Sequence, residues 1–167
     1  ILKRAARAVL AVASEGFRVV VIPPAYDELD TALARTEESA HRVRAQPLHT
    51  LLAAIQAQVS ADLERAIRNE ASRSARRLNV TSVLSHSLVA ADDPGFAHPS
   101  RPIGPSMHNS QAKEVSKFRG VDVMEQPDAG WREVVPSLRP IKPLGLSGIE
   151  ALLGHIEVVV TGAGGGI

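Results

Sequence analysis

The sequence contains no cysteine, so disulfides, thiolate metal sites and cysteine nucleophiles are excluded, and any chemistry rests on oxygen, nitrogen and backbone groups. Aromatic residues are almost as scarce. Phe17, Tyr26, Phe96, Phe118 and Trp131 make up 3% of the chain, too few to build a stacking platform for single-stranded nucleic acid. A dominant charge is also lacking: 19 basic and 18 acidic side chains leave a formal charge of +1, whereas a general polyanion binder needs a concentrated basic surface. No long hydrophobic run occurs. The apolar stretch of residues 5–13 contains Arg7 and follows Lys3 and Arg4, so it reads as a helix, not as a targeting or membrane segment, and the protein is expected to be cytoplasmic. What is present suits a globular fold, with 44% hydrophobic and 22% charged residues. At 167 residues, roughly 68–70% of the unfolded surface can be buried. The chain opens at Ile1 without a methionine and stops at Ile167 behind a glycine cluster, which is expected of a section from a longer protein.

Patterning predicts an α/β order. Residues 2–14 are alanine-rich helix formers stopped by Gly16, and the β-branched run of residues 17–22 is short enough for a buried parallel strand, ended by Pro23-Pro24. Residues 25–44 space Leu29, Leu33, Ala40 and Val43 as an exposed amphipathic helix broken by Pro47. The clearest stripe follows, Leu48, Leu52, Ile55, Val59, Leu63 and Ile67, with Glu64 and Arg68 at i,i+4 on its far face. Residues 80–84 predict a second strand continuing toward Val89. Eight of the eleven prolines then fall within residues 94–143, a segment that cannot be mostly helix or central sheet. One short helix near residues 110–119 and a hairpin of residues 121–124 with 131–135 are expected inside it. Residues 146–154 read as a helix, and residues 157–161 as a last buried strand that runs into Gly162-Ala163-Gly164-Gly165-Gly166. No internal repeat is present.

Few residues combine into chemistry. The glycine cluster behind an apolar strand sits where α/β proteins place ligand loops, and glycine amides can nest around an anion. It lacks the following Lys-Ser or Lys-Thr of a P-loop and does not fit Gly-x-Gly-x-x-Gly, so a plain tight turn stays open beside the anion loop. Arg101, held between Ser100 and Pro102 in Pro99-Ser100-Arg101-Pro102-Ile103-Gly104-Pro105, is presented by a stiff backbone. It suits bidentate binding of phosphate or carboxylate, or a structural pair with Asp92 or Asp93. Arg65, Arg68, Arg73, Arg76 and Arg77 alternate with Asp62, Glu64 and Glu70 near the end of a helix, which favours a solvated face over a nucleic-acid surface. His41, His49, His86, His98, His108 and His155 have no metal-ligand spacing, and Ser147 lacks a Gly-x-Ser-x-Gly elbow.

Taken in order, three stretches resemble the carbamate kinases of the amino-acid kinase superfamily. Ala91-Asp92-Asp93-Pro94-Gly95-Phe96, Pro99 and Arg101-Pro102-Ile103-Gly104-Pro105 are similar to Asp-x-x-Asp-Pro-Ala-Phe…Pro-Thr-Lys-Pro-Ile-Gly-Pro of that family. Gly130-Trp131-Arg132-Glu133-Val134-Val135-Pro136-Ser137 resembles its Gly-Trp-Arg-Arg-Val-Val-Pro-Ser. Val158 to Thr161 with Ala163-Gly164-Gly165-Gly166-Ile167 resembles its strand into Gly-Gly-Gly-Gly-Ile-Pro-Val. More weakly, residues 16–21 look like its Gly-His-x-Val-Val-Ile strand, and Pro47-Leu48 like its Pro-Leu-Asp helix start.

The resemblance implies a three-layer αβα sandwich with a mainly parallel sheet. Residues 1–91 would form the first part of the core, residues 92–143 a protruding proline-rich subdomain, and residues 144–167 the return to the core. It implies reversible phosphoryl transfer between ATP and carbamate with Mg²⁺, small-molecule substrates, a homodimer, and no nucleic-acid or membrane partner. Arg101 would be the catalytic cation, where the family has lysine, and Gly104, Gly164, Gly165 and Gly166 would line the substrate and phosphate loops, with the nucleotide-binding half beyond Ile167. Two stretches depart from the pattern. Where the family strand continues into Thr-His-Gly-Asn-Gly-Pro-Gln, this chain has Pro23-Pro24-Ala25-Tyr26-Asp27-Glu28, losing two N–H donors and gaining two carboxylates. Ile55-Gln56-Ala57-Gln58-Val59-Ser60-Ala61 stands for Ser-Gln-Gly-x-Ile-Gly-Tyr. These departures motivate the alternative of a non-catalytic homologue with a structural or regulatory role, and the 167-residue chain alone is expected to lack turnover.

Overall fold

A computed structural model describes residues 1–24, 26–39, 41–44 and 46–166. Ala25 of the stretch after the first strand, Ala40 of the second helix pattern and Ile167 of the glycine motif lie outside the described residues. The elements run α1 (Leu2–Ser14), β1 (Val19–Val21), α2 (Tyr26–Ser39), α3 (Leu48–Arg73), β2 (Val80–Val89), a 3-10 turn (Pro94–Phe96), β3 (Arg101–Met107), α4 (Asn109–Arg119), β4 (Val123–Gln126), β5 (Gly130–Val135), β6 (Pro140–Pro143), α5 (Leu146–Leu153) and β7 (Val158–Gly166). Two compact units result: Ile1–Ala25, Leu48–Leu88 and Lys142–Ile167 form one, Tyr26–Pro47 and Val89–Ile141 the other. Among the described residues no helix is long and apolar enough to cross a membrane.

The first unit is built on the sheet β1-β7-β2-β6, in which β7 pairs in parallel with both β1 and β2. A strand buried on both faces has no polar side to show, hence the unbroken run Val158, Val159 and Val160, each 0% exposed. Val158 and Val160 pack with Val80 against Ala6 and Ala13 of α1 and Leu63 and Ile67 of α3. These last two, with Ile55, are the buried positions of the stripe seen in the sequence. Val159 points to the opposite face by strand alternation and is equally buried, and α5 packs against the same strand. A partly buried carboxylate ties the two long helices: Glu70 of α3 accepts from Arg7 Nε of α1 at 2.8 Å and from Arg73 Nη1 at 2.9 Å.

The second unit holds the antiparallel sheet β3-β5-β4, with α2 against β3 and α4 against β5. The expected hairpin is β4–β5 and the expected helix is α4. The strand β3 is an addition, since Pro102 and Pro105 argue against strand in the sequence. It is tolerated because β3 lies on the sheet edge and its register with β5 shifts between Ile103 and Met107, so the missing N–H groups interrupt no two-sided ladder. The helix α2 ends at Ser39, short of Pro47, and buries Leu29 at 3% exposure.

Candidate functional site

In the first unit the candidate residues lie on the glycine-bearing end of β7. The valine run leads through Thr161 to Gly162, which pairs with Leu84, while Ala163 pairs with Ser85 and Gly166 with Ser87. The run was expected as a loop but remains strand to Gly166, because the ten-residue β2 extends beside it as a template. The ladder is interrupted only by a register shift between Ser85 and Ser87. Gly162 is fixed by close approach: a Cβ there would meet Gln56 Cβ of α3 at 2.9 Å and its Oε1 at 3.0 Å. Gln56 itself is 8% exposed, so α3 and β7 are held at a separation that glycine alone allows. Beside this contact, the hydroxyls of Ser60 and Thr161 are buried without a hydrogen-bond partner among the described residues.

In the second unit Arg101 and Gly104 share β3. Arg101 stands half-buried at the head of the strand opposite Val135, and Ser100 donates its N–H to Val135 O at 3.2 Å. Gly104 is buried with φ +71°, a left-handed conformation suited to glycine, and its N–H donates to Asp30 Oδ1 of α2 at 3.0 Å. The other oxygen of Asp30 accepts from Arg132 Nη2 of β5. Asp30 therefore joins α2 to two strands at the kink that follows Arg101. Neither Asp30 nor its link to Arg132 is signalled in the sequence, where the two residues are 102 positions apart. Arg101 and Gly104 belong to the second unit, and Gly164, Gly165 and Gly166 to the first.

The acidic turn at Asp92-Asp93 has a structural task. Asp93 Oδ1 accepts from Gly95 N–H at 2.7 Å and Oδ2 from Arg139 N–H at 3.0 Å, capping the 3-10 turn and fastening it to the strand-to-strand connection. The Arg139 amide first, then the Gly95 amide, hold the Asp93 carboxyl below its ordinary 3.8. Glu133 of β5 behaves oppositely. Burial pushes it above its ordinary 4.5, Arg119 of α4 draws it down, and Glu37 of α2 pushes it up. Arg119 bridges both carboxylates, at 3.5 Å from Glu37 and 3.4 Å from Glu133. The signs differ accordingly. A depressed carboxyl adds stability above its unfolded pKa that is lost as pH falls through the folded value, whereas a raised one adds stability at low pH that is lost as pH rises through the folded value. Thermal unfolding followed from pH 3 to 7 is expected to show Asp93→Asn flattening the loss of stability below about pH 4, and Glu133→Gln flattening the decline above about pH 4.5. Unchanged slopes in both variants would refute the assignment.

Other polar groups are accounted for differently. Arg65 and Arg68 pair along α3 with Asp62 and Glu64 at 2.8 and 2.9 Å, as expected of a solvated face, whereas Arg73 pairs at 2.9 Å with the buried Glu70. Ser147 lies in the first turn of α5. Among the described residues no group of three or more His, Asp or Glu side chains is placed to hold a metal ion. After β1, Pro23 and Pro24 supply no N–H, and the exposed Glu28 stands in the first turn of α2.

No protein-family model matches the chain. Individual proteins do. The carbamate kinase of Pyrococcus horikoshii is 28% identical over 167 residues, covering 99% of this chain and 53% of that protein. A crystal structure from Aeropyrum pernix K1 superposes with a TM-score of 0.90 at 30% identity over 98% of this chain and 53% of that one. The chain is a divergent homologue of the carbamate kinases. The carbamate kinase of Giardia lamblia, solved with AMP-PNP bound, shares the fold at a TM-score of 0.85 and 22% identity, covering 97% of this chain and 52% of that one. The chain thus spans about half the length of the carbamate kinases it matches. The mainly parallel α/β sheet of the first unit is that of these carbamate kinase neighbours.

Proposed function

We propose that the protein acts as a carbamate-kinase-like phosphotransferase, moving a phosphoryl group reversibly between ATP and carbamate to give ADP and carbamoyl phosphate. The observation that carries this reading is homology to carbamate kinases along almost the whole chain, with the three motif stretches falling in family order. ATP with Mg²⁺, when bound, supplies the phosphoryl group and its charge neutralisation. The chain's own donor set suits part of that task. Arg101 is the catalytic cation: a guanidinium offers two parallel N–H donors to the oxygens of a phosphoryl or carbamoyl group and neutralises charge as it moves. Gly104 aims that head of β3 through its kink, since its own amide is taken by Asp30. Gly164, Gly165 and Gly166 present backbone without side chains, so a phosphate can approach closely. The stretch after β1 does not suit a phosphate, since Pro23 and Pro24 offer it no N–H. The same homology supports a homodimer working on small molecules.

ATP formation from carbamoyl phosphate and ADP, measured with the full-length protein in a coupled assay, tests the reading. Arg101→Ala is expected to lower kcat/KM by about 10²–10³-fold, the scale of losing one preorganised charge-stabilising group. An intact protein that forms no ATP and binds neither substrate sinks the enzyme reading. The loss of two amide donors at Pro23 and Pro24 would then support a non-catalytic homologue that keeps the fold for a structural or regulatory role.

A further inference from the structure

We propose that the first unit carries a second ligand site, at the amino ends of β1, β2 and β7, for a small organic oxyanion: a carboxylate or phosphate ester bearing an apolar group. A pocket of about 350 Å³ opens there, within the size range of small-molecule sites. Its polar rim is Arg18, Arg76, Arg77 and Glu157, and its apolar lining includes Leu10, Ala13, Phe17 and Leu78. Arg18 directly precedes β1 and Glu157 directly precedes β7, so the pocket lies at the opposite end of the strands from the glycine run. From Glu157 to Gly164 is roughly 23 Å of strand at the usual rise per residue.

Charge decides the class of ligand. Three guanidinium groups face one carboxylate, and that carboxylate is already engaged: Glu157 Oε2 accepts the Asn79 N–H at 2.9 Å and Oε1 lies 3.8 Å from Arg18 Nη1. Arg76 and Arg77 are different from the arginines that precede them on α3. Arg65, Arg68 and Arg73 each have an acidic partner, whereas Arg76 and Arg77 have no ion-pair partner among the described residues. The turn that carries them is fixed, with Ala75 left-handed at φ 52° and Arg76 N–H bonded to Ala71 O at 2.9 Å, the closing bond of a helix C-terminus. Arginine donors in a fixed turn favour a planar or tetrahedral oxyanion. The apolar lining sets the rest of the ligand. Leu10 and Ala13 are buried beneath the opening, and Phe17 is 62% exposed beside Arg18, an uncovered aromatic face that an apolar or aryl group would shield from water.

Isothermal titration of the intact protein with phenyl phosphate, benzoate, inorganic phosphate and benzyl alcohol tests the site. Phenyl phosphate and benzoate are expected to bind saturably, inorganic phosphate at least about fivefold more weakly for lack of the apolar group, and benzyl alcohol not at all. The double variant Arg76→Gln/Arg77→Gln should lose phenyl phosphate binding by about tenfold or more while its thermal midpoint and ATP-forming activity stay as in the parent. Arg101→Ala should leave phenyl phosphate binding intact, which separates this pocket from the phosphoryl-transfer site. The proposal is overturned by absence of saturable phenyl phosphate binding, by binding that survives the double substitution, or by inorganic phosphate binding as tightly as phenyl phosphate.

Discussion

Replacing Asp30 by alanine is expected to destabilise the protein by about 3 kcal/mol, well beyond the effect of an ordinary surface charge. Two losses combine. The Gly104 amide, buried in β3, would be left without its acceptor at 3.0 Å, and an orphaned buried donor costs about 1–3 kcal/mol. Arg132, only 22% exposed, would lose the carboxylate that balances it, and its Nε already has no hydrogen-bond partner among the described residues. Asp30 is itself 44% exposed, so water softens the second loss below the figure for a fully buried pair. Asp30→Asn supplies the control: it keeps an oxygen for the Gly104 amide and removes the charge, so it should recover about half of the loss. Denaturant unfolding of the three proteins measures this, and a loss under about 1 kcal/mol in Asp30→Ala would show that the bridge is not holding α2 to the sheet.

That bridge also marks the limit of what the chain discloses before folding. The elements of the first unit are legible because each is driven by its own pattern: the stripe through Ile55, Leu63 and Ile67 needs one apolar face, and the valines ahead of Thr161 need burial on both sides of a strand. The hairpin β4–β5 is legible for the same local reason. The strand β3 is not, since two prolines spoil the local signal and only its place at a sheet edge makes them harmless. The candidate site divides likewise. Motif resemblance singles out Arg101 and the glycines, whose use lies in their own chemistry. It misses Asp30, and it notes Gln56 only within a stretch that departs from the family pattern; the roles of both arise from what a distant segment brings against them, Gly104 in one case and Gly162 in the other. Glu133 stands where the family pattern has arginine. In the fold it shares Arg119 with Glu37 and titrates upward because it is half-buried.

Gly162 is the position where fold and proposed function meet most tightly. Because a Cβ at this position would lie 2.9 Å from the Gln56 Cβ, a distance real Cβ atoms essentially never show, Gly162→Ala must push α3 away from β7 or bend the strand. Overpacking of this kind costs about 2 kcal/mol, and Gly162→Val, with two further methyls, is expected to exceed about 3 kcal/mol. The clash also involves Oε1 at 3.0 Å and Cδ at 3.1 Å, so shortening the partner by Gln56→Ala should return part of the loss in the Gly162→Ala background, with a coupling of about 0.5–1 kcal/mol or more. Activity should fall further than stability alone demands, because the strand that shifts is the one presenting Gly164, Gly165 and Gly166 a few residues on. A misplacement of about 1 Å at reacting groups can cost 10²-fold in rate. The decisive comparison measures unfolding free energy and ATP-forming kcat/KM on the same four proteins: the parent, both single variants and the double. If Gly162→Ala folds with parental stability, then the close approach of α3 does not set the position of the glycine strand; if Gln56→Ala returns none of its loss, the clash rests on the Gln56 Cβ that alanine retains.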